Sequence, residues 1–192
     1  RARTLVRRKR FAERLRDSVQ SSMEMAVMDQ LTGLYNRRYL DGRLAVLFDE
    51  SALRARSLSL LILDVDHFKA VNDSWGHDAG DEVLREFSDR VRACTRGIDL
   101  VARMGGEEIV VVLPDTALEA ARAVAERIRE RVEGELFQIQ DGTRSIAVTV
   151  SIGVASRRAG DAGPAEMMKR ADEAVYLAKA GGRNRVIVAN AA

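Results

Sequence analysis

Two rhythms of apolar spacing run through the 192-residue chain and divide it into strands and helices. Leu58 to Leu63 is an almost unbroken apolar run, short for a helix and suited to a strand covered on both faces. Val83, Leu84, Phe87, Val91 and Cys94 recur at helical steps, which predicts a helix with one buried stripe. Leu100 to Met104 and Ile109 to Leu113 are further strand-like runs. Gly105-Gly106 between them predicts a hairpin turn, because glycine takes positive φ without strain. A helix through Ala120, Val124 and Ile128 and a strand from Ile146 to Val154 follow. Pro164 suits the first turn of a last helix, Gly181-Gly182 stops it, and Val186 to Val188 reads as a closing strand.

Ahead of these elements, residues 1 to 28 contain neither Gly nor Pro and read as one continuous helix. Ala12, Leu15, Val19, Ser22 and Ala26 form a narrow seam on it, fit for a short coiled coil or for a helix entering a domain. Asp29 ends the helix, and a polar turn with Gly33 leads into another helix toward Leu47. The boundary is set there: a linker helix over 1–28 and one domain over 29–192. The mixed order of elements, with a central hairpin, predicts an α+β sandwich around one antiparallel-containing sheet and not a Rossmann repeat.

Composition narrows the function. A chain that is 46% hydrophobic and of this length buries one sizeable core. Its apolar runs fall far short of the roughly 20 residues of a membrane helix, so no span is expected. No signal peptide is visible, and the single cysteine, Cys94, fits a reducing cytoplasmic setting. Residues 1 to 16 hold eight Arg or Lys against Glu13, a local +7 that leaves about −5 for the rest of a chain whose total is +2. Without interleaved aromatics that basic run reads as a solvated helix face, and no nucleic-acid partner is expected.

The candidate chemistry lies in two carboxylate pairs. Asp64-Val65-Asp66 falls at the end of a buried strand, and Glu107-Glu108 at the tip of the hairpin. Carboxylates clustered beside apolar sheet repel one another, and a hard divalent cation such as Mg²⁺ relieves them. A plainer reading stands beside this one: Asp66 caps the next helix and the glutamates are solvated turn residues. His67 and His77 have no metal-ligand companions and read as structural.

Gly105-Gly106-Glu107-Glu108-Ile109 resembles the signature of the GGDEF family, which also occurs as Gly-Gly-Glu-Glu-Phe. The likeness extends over residues 29 to 188. Asp29-Gln30-Leu31-Thr32-Gly33-Leu34 with Asn36-Arg37-Arg38 is similar to the family's opening motif. Asp64-Val65-Asp66-His67-Phe68-Lys69, Val71-Asn72-Asp73, Gly76-His77-Asp78 and Gly80-Asp81 resemble its nucleotide-binding segment. Ser151-Ile152-Gly153-Val154, Ala171-Asp172, Tyr176, Ala178-Lys179 and Gly182-Arg183-Asn184 resemble its closing motifs. Ile109 in place of Phe and Met104 in place of a frequent Tyr are apolar swaps on the sheet.

The resemblance implies a nucleotidyl-cyclase-like palm and a diguanylate cyclase, which condenses two GTP to cyclic di-GMP and two pyrophosphates. It implies that Asp64, the carbonyl of Val65, Glu107 and Glu108 hold Mg²⁺ or Mn²⁺, two ions per site. Glu107 and Lys69 would be catalytic. GTP would be bound by His67, Phe68, Asn72, Asp81, Gly105, Gly106, Lys179 and Arg183, with Asn72 and Asp81 reading guanine and the two bases, one helical turn apart, clamping phosphates. Arg96, Asp99 and Arg127 resemble the family's product-inhibition site for cyclic di-GMP. Each domain would hold half a site, so a homodimer is implied. The chain is similar to response-regulator cyclases, whose receiver domains precede a helix like residues 1–28. A degenerate sensor that binds GTP or cyclic di-GMP without turnover is the alternative.

Overall fold

The computed structural model describes residues 27–189. The linker helix expected over residues 1–28 therefore lies almost wholly outside the described residues.

A short β1 (Tyr35–Asn36) opens the domain and is followed by α1 (Arg37–Leu53), with the Asn36 side chain accepting from Tyr39 N as an N-cap. Next come β2 (Leu58–Val65), α2 (Phe68–Trp75), α3 (His77–Ala93), β3 (Leu100–Gly105) and β4 (Glu108–Pro114). The chain continues through α4 (Leu118–Gly134), β5 (Phe137–Ile139), β6 (Arg144–Ile146), β7 (Val150–Ser156), α5 (Pro164–Ala180) and β8 (Val186–Val188). The main sheet has the order β1-β3-β4-β2-β7-β8. Its four central strands pair antiparallel, while β1 and β8 join the edges in parallel.

Period-2 alternation sorts the strand residues onto two helical layers. Leu61, Leu63, Ile109, Val111, Ile152 and Val154 face α3 and α4, against Val83, Phe87, Val91, Ala125 and Ile128. Leu60, Ile62, Val110 and Val112 face α1 and α5, against Leu40, Leu44, Met167, Ala171 and Val175. Every residue of β2 is buried, as its unbroken apolar run requires of a central strand covered on both sides.

Three expectations need correction. The run from Ile146 to Val154 is two strands: β6 leaves the main sheet to pair with β5 in a separate hairpin, and only β7 joins the center. The buried stripe of α4 is Ala121, Ala125, Ile128 and Val132, so Ala120 points to solvent; helical period alone does not fix its phase. The helix after the N-terminal turn runs on to Leu53, beyond Leu47.

Two contacts hold the layers together that the sequence pattern does not reveal. Arg90, only 5% exposed, donates to the carbonyls of Val132, Glu135 and Leu136 at 3.2, 2.7 and 3.0 Å, and its guanidinium lies 3.8 Å from the Phe137 ring center. It thereby satisfies orphan carbonyls at the end of α4. Gly153 of β7 lets α5 approach closely: a Cβ there would fall on the Ala171 carbonyl oxygen and 2.7 Å from Val175 N. Both are backbone atoms that cannot swing aside. Gly153→Ala is expected to cost about 3 kcal/mol or more, read as a loss of more than roughly 8 °C in thermal midpoint; an unchanged midpoint would contradict this packing.

Candidate active site

The register of the central strands places like charges face to face. Asp64 on β2 is the cross-strand partner of Glu108 on β4, and by alternation both side chains stand on the α1/α5 side of the sheet. Directly opposed carboxylates destabilise an antiparallel pair. Gly105 pairs with Glu108, which leaves Gly106 and Glu107 as the turn and adds a third carboxylate at the tip. The turn needs its glycines for their backbone angles, φ +143° at Gly105 and +53° at Gly106. A Cβ at either would meet no atom within 4 Å, so the space above the hairpin is open.

Asp64 is 5% exposed and receives one cation: Lys179 Nζ from α5 lies 2.6 Å from its Oδ2. Burial still raises the Asp64 carboxyl above its ordinary range, with Glu107 and Asp66 adding to the effect and Lys179 opposing it. Glu108 is raised for the same reason, burial first and then the charges of Asp64 and Asp172. A cavity of about 310 Å³ beside Glu108 is lined by Arg37, Met104, Lys169 and Asp172, among others.

Asp66 does not cap α2. The N-cap is His67, in the left-handed region at φ +58° and without a side-chain bond to the helix. Asp66 instead accepts from Ser151 Oγ at 2.7 Å, Thr149 Oγ1 at 2.8 Å and Asn184 N at 3.0 Å. Phe68 sends its ring into the core, while His67, His77 and Lys69 are exposed. Asn72 of α2 packs against α3 at Gly80, the residue before Asp81: a Cβ on Gly80 would overlap Asn72 Oδ1 and lie 3.2 Å from the Phe68 ring. Lys179 and Arg183 are not one helical turn apart, because α5 ends at Ala180 and Arg183 sits beyond it at φ +63°.

A second constellation lies near the far end of β3. Arg96 donates through Nη2 to Asp99 at 2.7 Å, and its backbone N donates to the same carboxylate at 2.7 Å. The Asp99 side chain is 1% exposed while that of Arg96 is half exposed, so the acid aims the base outward. Both line a cavity of about 410 Å³ with Arg92, Gly33 and Tyr35. Arg127 reaches the Cys94 carbonyl at 2.7 Å and lines a neighboring hollow, not this one.

The sequence reading passes over Arg103. Its guanidinium donates to the Gly106 carbonyl at 2.7 and 3.0 Å and to Asp29 at 3.1 Å, tying the hairpin to the opening turn. Asp29 also accepts from Thr32 N and Oγ1; burial, which alone would raise its carboxyl, is outweighed by the Thr32 and Arg103 bonds, and it titrates below the usual range. An arginine inside an apolar strand two residues before the glycines is the signal that would have found it.

The donor set around Asp64 fits a hard divalent cation: it is all oxygen and anionic, and Lys179 is set against the three carboxylates of Asp64, Glu107 and Glu108. Among the described residues, no three carboxylate, imidazole or thiol groups converge on one point as they stand, and Lys179 occupies the Asp64 carboxylate.

Comparison with known proteins gives one consistent result. Residues 26–185 match the family described as diguanylate cyclase, GGDEF domain. The response regulator PleD of Caulobacter vibrioides is 49% identical over 187 residues, covering 97% of this chain and 41% of that protein. Diguanylate cyclase A of Treponema denticola is 42% identical over 167 residues, 85% of this chain and 44% of that protein. The chain thus spans less than half the length of these relatives. The solved coiled coil and GGDEF domain of DgcB from Caulobacter crescentus, in complex with c-di-GMP, superposes with a TM-score of 0.89 at 34% identity, covering 96% of this chain and 97% of that one.

Raised carboxyls have a definite sign in stability. As pH climbs through the ordinary carboxylate range, the unfolded chain releases these protons first, so Asp64 and Glu108 reduce folding stability above that range. Glu108→Gln is expected to raise the midpoint at pH 7.5 without metal by a few degrees, on the order of 1 kcal/mol. The difference should vanish below about pH 4, where both forms are neutral. A variant no more stable than the parent at pH 7.5 would contradict the cross-strand repulsion.

Proposed function

The chain belongs to the GGDEF family of diguanylate cyclases, and from that membership we propose that its cleft condenses two molecules of GTP into cyclic di-GMP. Each 3′-hydroxyl oxygen forms a bond to the other nucleotide's α-phosphorus, the bond from that phosphorus to the bridging oxygen breaks, and pyrophosphate leaves. Two turnovers of this step close the ring. The observation that carries the reading is the opposed Asp64 and Glu108 with Glu107 at the turn and Lys179 on Asp64.

Asp64, the Val65 carbonyl, Glu107 and Glu108 would hold Mg²⁺ or Mn²⁺, two ions to a site. Bound there, the ions would neutralise triphosphate charge and stabilise the attacking and leaving oxygens. Lys179, released from Asp64, would pair with the phosphates together with Arg183, and Lys69 would stabilise charge developing at the α-phosphate. The first turn of α2, at His67 and Phe68, has no side-chain cap, which suits backbone N–H groups to a phosphate. Glu107 would accept the 3′-hydroxyl proton. Asn72 and Asp81 would take the guanine, since a carboxylate accepts from N1 and N2 donors that adenine lacks. Gly105 and Gly106, with open space above them, leave room for substrate at the hairpin.

Because one domain carries one set of these groups, two copies would face each other to complete the reaction, held by the segment ahead of Asp29. Arg96, Asp99 and Arg127 would bind the product and slow the enzyme; the exposed Arg96 guanidinium, braced by Asp99, suits phosphate pairing and guanine stacking. GTP supply assigns the reaction to the cytoplasm. An upstream receiver domain, as in a response regulator, would supply the input. Among the described residues no helix is long and apolar enough to cross a membrane.

Incubation with GTP and Mg²⁺ at high protein concentration should yield cyclic di-GMP and pyrophosphate in a 1:2 ratio, and Glu107→Gln should lower the rate at least about 100-fold. Binding of GTP without product would assign the chain to sensing instead. Arg96→Ala should leave the initial rate nearly intact and remove product inhibition; a variant inhibited as strongly as the parent would overturn that assignment.

A further inference from the structure

The turn that joins α5 to β8 carries strained backbone beside the cleft. Arg183 and Asn184 are consecutive non-glycine residues at positive φ, +63° and +45°, a conformation that side chains disfavor. Such a pair persists only where its surroundings hold it, and three sets of contacts do so. The buried Asp66 carboxylate accepts Asn184 N at 3.0 Å. The Asn184 side chain donates to Glu133 Oε1 at 2.7 Å and accepts from Arg129 Nη1 at 3.2 Å, and Arg129 in turn donates to Glu133 at 2.6 Å. Arg185 lies across the two glycines, its guanidinium 3.0 Å from where a Cβ of Gly181 or Gly182 would stand, and bonds back to the Arg183 carbonyl at 3.0 Å.

Asp66 gives this arrangement its rigidity. It is 5% exposed, and among the described residues no cation pairs with it. Its charge is compensated by Ser151 Oγ, Thr149 Oγ1 and Asn184 N alone. A buried carboxylate that loses one of three neutral donors is strongly penalised, so the Asn184 amide is bound to stay where it is. Asp66 also stands two residues after Asp64 on the same segment, so the turn is anchored close to that carboxylate.

We infer that Asp66 and Asn184, with Glu133 and Arg129 behind them, are positioning residues that fix Arg183 at the place where a nucleotide triphosphate is gripped. The inference rests on the proposed role of Arg183 as a phosphate clamp. Neither residue touches substrate; they act through the backbone angles of the turn.

Titration with 3′-deoxy-GTP, which lacks the attacking hydroxyl, and with GMP separates the possibilities. Asn184→Ala should weaken 3′-deoxy-GTP binding about tenfold while leaving GMP binding unchanged, because GMP lacks the outer phosphates. In an Arg183→Ala background, adding Asn184→Ala should change triphosphate binding less than about twofold. Equal loss in both backgrounds, or no loss in the parent, would overturn the inference while sparing the clamp. An Arg183→Ala protein that binds 3′-deoxy-GTP as well as the parent would overturn the clamp and the inference together. Should Asn184→Ala fail to fold, the exposed Glu133→Ala removes only the acceptor of the Asn184 side-chain amide and the partner of Arg129, leaving Asn184 itself in place. It should then weaken triphosphate binding about threefold with the same dependence on Arg183, and no loss would again contradict the inference.

Discussion

The opposition of Asp64 and Glu108 across β2 and β4 is the constraint on which the rest of the site depends. Sheet register cannot relax it, because a slip by one residue would exchange the two buried faces of β2 and misplace every side chain packed into both helical layers. The repulsion is therefore carried by a strand buried along its whole length and met locally by Lys179, while burial and the neighboring charges hold both carboxyls above their ordinary range. A cation delivered with a polyphosphate would find both charge to neutralise and a lysine free to transfer to the phosphates. On the proposed reading, stability forgone at these carboxylates would be recovered on binding.

Much of the fold was legible in the sequence, and for physical reasons. β2 declared itself by an apolar run that only a two-sided environment tolerates, the β3–β4 hairpin by glycines at positive φ, and α5 by Pro164 at its start and Gly181 at its end. What stayed hidden was set by tertiary contact. The break between β6 and β7 follows from β5 offering a partner, and the phase of α4 from which alanines meet the sheet. Asp66 illustrates the same limit within the site: an acid ahead of a helix reads as a cap, and only the approach of Thr149, Ser151 and Asn184 turns it inward. The acids and bases of the proposed site come from family resemblance, while their spacing alone left the plainer reading standing.

The opening turn links the cleft to the second basic site. Asp29 holds Arg103, which holds the Gly106 carbonyl next to Glu107; Arg92, in the wall of the cavity around Arg96 and Asp99, donates to the Gly33 carbonyl of that same turn at 2.7 Å. The opening turn thus touches the Gly105-Gly106 hairpin and the proposed product site through two arginines. The charged half-buried pair between Arg103 and Asp29 is the stiffer of the two links, since the Arg92 bond is exposed and screened.

On the proposed reading, the carboxylates around Asp64 hold a divalent cation. The most direct test is the thermal midpoint titrated with Mg²⁺ at neutral pH, in the parent and in Asp64→Asn. A midpoint that rises with Mg²⁺ in the parent and stays level in Asp64→Asn is the predicted result. An equal rise in both proteins, or none in either, would contradict it.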